Sequence, residues 1–131
     1  HIEQSYSFLN TKNKDDSYGL ALTPANSIKT KIILDLNQYD KLAKFKINNM
    51  SAYHIYKFQQ NSFAQYEEFT PSYNVINLQF WGELNSKLEY NFLIYNLFNE
   101  EYTPHISRLR GVAGGVPNPG RSISVNLKYK F

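Results

Sequence analysis

Cysteine is absent from this 131-residue chain, which excludes a disulfide framework, a thiolate metal site and a thiol nucleophile. Long apolar runs are absent too. Nothing approaches the roughly 18 consecutive apolar residues of a membrane helix, so a helical membrane protein is excluded. The first residue is His1 and no secretory signal is visible after it, which predicts a processed chain or a piece of something longer. Charge of one sign is scarce: a scattered net +3 does not mark a nucleic-acid binder. Catalytic signatures are missing as well, with no Ser/His/Asp spacing, phosphate loop or two-histidine metal motif. The acidic pairs Asp15-Asp16, Glu67-Glu68 and Glu100-Glu101 are adjacent, so on an extended strand each pair would point to opposite faces. No enzyme, catalytic residue, cofactor or resident metal is expected.

What is present is aromatic. Tyr and Phe number eleven and nine, yet mean hydropathy is −0.51, a combination that suits short strands with one apolar and one wet face. The end of the chain shows this most cleanly. Ile123, Val125, Leu127, Tyr129 and Phe131 alternate with Ser122, Ser124, Asn126, Lys128 and Lys130, a period of two without exception. Upstream, Leu88, Tyr90, Phe92 and Ile94 alternate in the same way, as do Ile76, Leu78 and Phe80. A third segment sets Phe45, Ile47, Tyr53 and Ile55 on one side against Lys44, Lys46, Asn48 and His54, with Asn49 and Ser51 interrupting. Thr30, Ile32, Leu34 and Leu36 face away from Lys29, Lys31 and Asp35, with Ile33 breaking the polar side, and Ile2, Tyr6 and Phe8 make a first, weaker strand. The reading is all-β, with about six antiparallel strands near the length of about 9–11 residues that a tilted strand needs to cross a bilayer.

The connections alternate in length. Asn37–Asp40 and Glu83–Ser86 are turn-like, whereas Thr11–Ser27, Gln59–Ser72 and Asn99–Gly120 are long and rich in Pro, Gly, Asn and charge. Short turns on one side and long loops on the other are the asymmetry of outer-membrane barrels. With the C-terminus in the periplasm, all three long connections fall outside. Six strands do not close such a barrel, and an open sheet would leave unpaired edges in hydrocarbon. Residues 1–131 are therefore expected to be part of a larger wall.

The segment Tyr95-Asn96-Leu97-Phe98-Asn99-Glu100-Glu101-Tyr102, then Pro117-Asn118-Pro119-Gly120-Arg121 and a strand ending in Phe131, resembles the C-terminal signature of TonB-dependent receptors. Leu22-Thr23-Pro24 also resembles the Pro-containing approach to an earlier strand in that family. The resemblance implies the C-terminal part of a barrel of about 22 strands in the outer membrane of a Gram-negative bacterium. A plug domain and the remaining strands would lie elsewhere in the chain. The implied cargo is a metal chelate of the iron-complex or cobalamin type, such as a ferric siderophore, haem or cobalamin. The implied partners are the TonB complex acting through the plug, outer-membrane lipid and lipopolysaccharide. Ser124, Tyr129 and Phe131 also resemble the terminal signal read by the barrel-assembly machinery, although Asn126 stands where that signal usually has Gly.

Within this frame Asn96, Leu97, Phe98, Tyr102, Pro119, Gly120 and Arg121 carry the signature. Pro119 and Gly120 are read as shaping the return of the loop, Gly120 through positive φ, and Arg121 as bonding loop carbonyls or lipopolysaccharide at the rim. Tyr102 is expected to pack at the outer interface. His105, Arg108 and Arg110 in the last long loop are the candidates for substrate contact, since imidazole ligates metals and guanidinium clamps anions. A lone loop histidine is also commonly just solvated. The lumen-facing set is expected to include Lys29, Lys31, Asp35, Lys44, Lys46, Asn77, Gln79, Glu89, Asn91, Lys128 and Lys130, and the aromatic girdles Tyr73, Trp81, Tyr90, Tyr95 and Tyr129. The alternative is a soluble β-sandwich that binds carbohydrate or protein, which needs two packed faces. Single-strand nucleic-acid binding would want a denser basic and aromatic face, so no nucleic-acid partner is expected.

Overall fold

Period-two segments joined by turns and long connections build a simple meander. A computed structural model describes residues 1–15, 17–37, 39, 46–59, 64–111 and 116–131, with the side chains of 110 and 111 outside that description. Six strands follow in chain order: β1 Ile2–Ser7, β2 Ser27–Asp35, β3 Ile47–Lys57, β4 Tyr73–Asn85, β5 Leu88–Tyr95 and β6 Ser122–Tyr129. They form one antiparallel sheet in the order β1-β2-β3-β4-β5-β6, with β1 and β6 as its edges. The 13 residues of β4 extend about 40 Å at about 3.3 Å per residue, enough to cross a membrane band even when tilted.

The register decides which side chains share a face. Cross-strand partners run Ile2, Ile32, Ala52, Leu78, Ile94 and Ile123 in one continuous row. Residues two steps away keep that face, which adds Leu34, Met50, Phe80, Phe92, Val125 and Leu127 to it. The opposite face carries Lys29, Lys31, Asp35, Asn77, Gln79, Glu89, Asn91 and Lys128, as the alternation predicts. Lys44 lies outside the described residues, Lys46 sits in a turn, and Lys130 follows the last strand. The polar face is stitched across strands: Gln79 Nε2 donates to Asn91 Oδ1 at 3.0 Å, and Tyr53 Oη to Gln79 Oε1 at 3.4 Å. Lys31 Nζ stands 5.4 Å over the Tyr53 ring.

β3 corrects the sequence reading. A β-bulge between Ile47 and Asn49 shifts the register by one, so Met50, Ala52, His54 and Tyr56 lie on the apolar face and Tyr53 and Ile55 on the polar one. Asn49 and Ser51 interrupt nothing, because beyond the bulge the odd positions belong to the polar side. The Asn37–Asp40 turn before β3 lies partly outside the described residues, and Phe45 wholly so. The β4–β5 turn is tighter than Glu83–Ser86, with Asn85 Oδ1 accepting from the Lys87 and Leu88 amides at 2.9 Å each.

The sheet has almost no interior of its own. Among the described residues the buried hydrophobic side chains are Leu36, Ala64 and Val75, while Ile123 and Leu127 on the apolar face are 63% and 67% exposed. A sandwich would hide that face behind a second sheet, and the described residues form a single layer.

The aromatic belts are a second correction. Tyr73, Trp81 and Tyr95 point to the polar face by register. At the long-loop end of the apolar face the belt is instead Tyr6, Phe8, Tyr56 and Phe58, with the Tyr56–Phe58 rings 4.9 Å apart and Tyr6–Phe58 6.2 Å apart. At the other end Tyr129 and Phe131 meet edge to face at 5.2 Å, and Tyr90 lies beside Gly82.

Candidate functional site

Two features at the long-loop end bear on function: a basin on the polar face and a cluster that ties the long connections together. Both depend on how the segment 96–121 folds back. Asn96 ends β5 in a left-handed conformation (φ 50°) that Asn tolerates better than most residues. Its backbone N–H donates to Asn77 Oδ1, its side-chain Nδ2 donates to the Glu100 carbonyl at 2.8 Å, and its Oδ1 accepts from the Glu100 N–H at 2.9 Å. The side chain is 3% exposed, so these bonds replace water on a buried amide. Leu97 continues the ladder by donating to the Ile76 carbonyl at 2.8 Å, while Phe98 is 71% exposed.

Asn99, also left-handed at φ 57°, then accepts from the Arg121 N–H through Oδ1 at 2.8 Å. Arg121 returns a long bond of 3.4 Å from Nη1 to the Leu97 carbonyl, which is the loop-carbonyl role read from the sequence. Gly120 is required by close approach rather than by positive φ: a Cβ there would stand 2.5 Å from Asn99 Oδ1. Asn96, Leu97, Asn99, Gly120 and Arg121 thus form one clasp at the neck of the loop. Pro119 belongs to that neck and lines the basin beside Gly120.

The basin is an open depression of about 510 Å³ on the polar face. Its floor comes from β2–β5, with Lys29 and Lys57 on one side and Asn77 and Tyr95 on the other, and its roof from Tyr102, Pro104, Ile106 and Asn118. Tyr102 turns over the polar face. It stacks on Tyr73 with ring centroids 4.3 Å apart, and its hydroxyl accepts from Asn118 Nδ2 at 3.1 Å. Lys57 Nζ also reaches the Ala25 carbonyl at 3.4 Å. Two ammonium groups beside stacked phenols and amides make a surface suited to an oxygen-rich, anionic ligand edge. None of these basin residues was singled out as a substrate contact from sequence, because they come from four strands and a loop. Strand register and the fold-back of the last loop bring them together.

His105 is at 2% exposure and lies inside the loop cluster rather than in solvent. Its Nδ1 shares a hydrogen bond of 2.8 Å with Thr70 Oγ1, and its Nε2 stands 3.4 Å from Glu67 Oε2. The Glu67 carboxylate also accepts from the Leu22 N–H and from the Ala64 N–H, each at 2.9 Å. Arg108 borders a second depression with Tyr66, Glu68 and Glu67, the carboxylate that faces His105. Arg110 shares the short 3₁₀ turn Arg108–Gly111, and its side chain is outside the described residues. His105 and Arg108 thus have Glu67 as a common neighbour, His105 buried and Arg108 at the depression. Among the described residues no group of three or more His, Asp or Glu is placed to hold a metal ion.

At the opposite end, Glu89 pairs with Lys128 at 3.5 Å and with Lys130. The hydrogen bond from Lys130 to Glu89 holds the Lys130 pKa above the usual lysine value, with the Glu89 and Glu83 charges adding to it. Ser124 of β6 faces the polar side opposite Leu93, whereas Tyr129 lies on the apolar side with Phe131 beyond it.

No family model and no curated protein matches this chain. A solved structure of the copper transporter OprC matches with a TM-score of 0.80 over 99% of this chain, at 18% identity. The chain spans 20% of the length of that transporter. At that identity the likeness is one of fold: this six-stranded meander has a counterpart within the much longer chain of a transporter.

Proposed function

We propose that this chain is the C-terminal part of the barrel wall of a TonB-dependent outer-membrane receptor. The observation that carries the proposal is the single-layered sheet itself, with an exposed apolar face, a polar face and two edge strands. Hydrocarbon suits the apolar face, and additional strands from the rest of the receptor would satisfy the edges. The complete barrel would have about 22 strands around a plug. The long connections lie outside and the C-terminus lies in the periplasm. Aromatic belts at both ends of the apolar face and the resemblance of Asn96–Tyr102 and Pro119–Arg121 to the family signature support this reading.

The cargo in this proposal is a metal chelate, such as a ferric siderophore, haem or cobalamin, that presents anionic or oxygen-rich edges to Lys29 and Lys57. The likeness to a copper transporter agrees with a metal-containing cargo. β6, with Ser124, Tyr129 and Phe131, is the segment offered to the barrel-assembly machinery. The apolar face meets lipid and lipopolysaccharide, and the plug engages the TonB complex.

The test is to extract the gene product from outer membranes in detergent, measure its intact mass, and titrate it with anionic and neutral metal chelates. A parent chain several times longer than 131 residues that binds the anionic chelates more tightly is the expected result. Charge reversal at Lys29 and Lys57 should then weaken anionic binding about tenfold, less so at high salt. Recovery of the protein in the detergent-free soluble fraction would overturn the proposal.

A further inference from the structure

The apolar face is not apolar throughout. On β4–β6 its alternate positions carry no polar side chain from Ile76 to Phe80, from Phe92 to Ile94 and from Ile123 to Leu127. On β1–β3 every strand breaks the pattern once. Gln4 stands between Ile2 and Tyr6, Thr30 between Ile28 and Ile32, and His54 between Ala52 and Tyr56. The three breaks are in register, because Gln4 pairs with Thr30 and Thr30 with His54. They form one polar patch across three adjacent strands, with Gln4 Nε2 at 3.4 Å from Thr30 Oγ1. The belt residues Tyr6 and Tyr56 lie two positions further along their strands, about 7 Å away, and Ile2, Ile32 and Ala52 lie two positions back. The patch is therefore inside the apolar band and not at its rim.

Polar side chains that face hydrocarbon cost free energy unless something hydrogen-bonds them. Lipid is the same around the whole wall, so it gives no reason for one half of this face to be polar. An anionic headgroup would call for cations, and Lys29, Lys31 and Lys57 of these strands all point to the opposite face. Acyl esters offer acceptors only. Amide, hydroxyl and uncharged imidazole each donate and accept, which is what a surface needs in order to pair with its own copy. We propose that the patch Gln4, Thr30 and His54 is the centre of a contact between two copies of this wall, related by a twofold axis along the membrane normal. Two copies in one bilayer sit at the same depth, so each patch meets the other. Ala52 beside His54 is small and lets the second wall approach closely. The inference rests on the receptor reading, since only a membrane fixes the two copies at one depth.

Oxidative cross-linking of the full gene product in outer membranes tests this, with single cysteines placed by substitution. Thr30→Cys, at the middle of the patch, is expected to give a disulfide-linked species of twice the mass. Val125→Cys, on the wholly apolar half of the same face, is expected to give none. If Thr30→Cys does not assemble, Ala52→Cys must give the same species. In detergent, the combined variant Gln4→Leu, Thr30→Val and His54→Leu is expected to dimerise about tenfold more weakly, as read by analytical ultracentrifugation. Protein that stays in the membrane fraction but cross-links at neither Thr30 nor Ala52, or as readily at Val125, overturns the inference and leaves the receptor reading standing. So does a cross-linked product of any other mass, or a combined variant that loses only co-purifying lipopolysaccharide. Protein found in the soluble fraction overturns the receptor reading itself, and this contact with it.

Discussion

Among the described residues, Gly82 and Gly120 are held to glycine for unequal reasons. A Cβ on Gly82 would overlap the Lys46 carbonyl oxygen, a backbone atom, and would press on the Tyr90 ring; Lys46 is itself left-handed at φ 52°. A Cβ on Gly120 would meet the side-chain oxygen of Asn99, which can rotate once it gives up the Arg121 N–H. Gly82→Ala is therefore expected to cost about 3 kcal/mol and Gly120→Ala about 1 kcal/mol, as read by denaturant unfolding of the full gene product. An equal cost at both sites would contradict the geometry. Asn96→Ala removes both bonds to the Glu100 backbone and puts a Cβ residue without a polar side chain at φ 50°. About 2–3 kcal/mol is expected from the same measurement.

At the scale of the element, β3 is where the bulge matters. Ser51 and Ala52 are adjacent small residues, pointing to the polar and apolar faces respectively by their pairing with Gln79 and Leu78. If the apolar face meets lipid, Ala52→Arg should cost about 2–4 kcal/mol, whereas Ser51→Arg should cost less than about 1 kcal/mol. Folding into lipid vesicles under a urea gradient would read both. The reverse order would restore the face assignment that the unbulged alternation suggests. β6 is held differently, by its ladder to β5 and by the exposed Glu89–Lys130 pair. Because the Lys130 pKa is raised, its contribution is present at neutral pH and is lost only as pH rises beyond the ordinary lysine range.

For the whole molecule the deciding quantity is how little the sheet buries. Three buried hydrophobic residues among those described cannot offset the entropy of ordering a chain of this length. Without lipid or further strands, residues 1–131 are expected to aggregate or stay unfolded. Size-exclusion chromatography and circular dichroism in detergent-free buffer would show this. A monodisperse folded species of 15.3 kDa there would sink the membrane-wall reading and bring back a soluble one. The loops are the exception to this poverty of burial, with His105, Thr70 and Thr23 at 2%, 5% and 4% exposed.

Alternation of period two was enough to read most of the strands, their antiparallel meander and the two faces of β2, β4, β5 and β6, because that pattern is local and needs no partner to be recognised. The neck of the last loop was also visible in the run from Asn96 to Arg121, although sequence offered positive φ as the reason for Gly120 where contact with Asn99 is the actual one. What sequence by itself could not determine is anything that depends on a neighbour strand. The bulge in β3 reverses the sides of Tyr53 and His54, and only pairing with β2 and β4 shows it. The basin gathers Lys29, Lys57, Tyr73 and Tyr102 from separated segments. His105 reads as a loop residue for substrate contact or for solvent until Glu67 and Thr70, more than thirty positions away, close around it. Local alternation is written in a few consecutive side chains, whereas register and loop packing are properties of pairs far apart in the chain, and only the tertiary structure decides those.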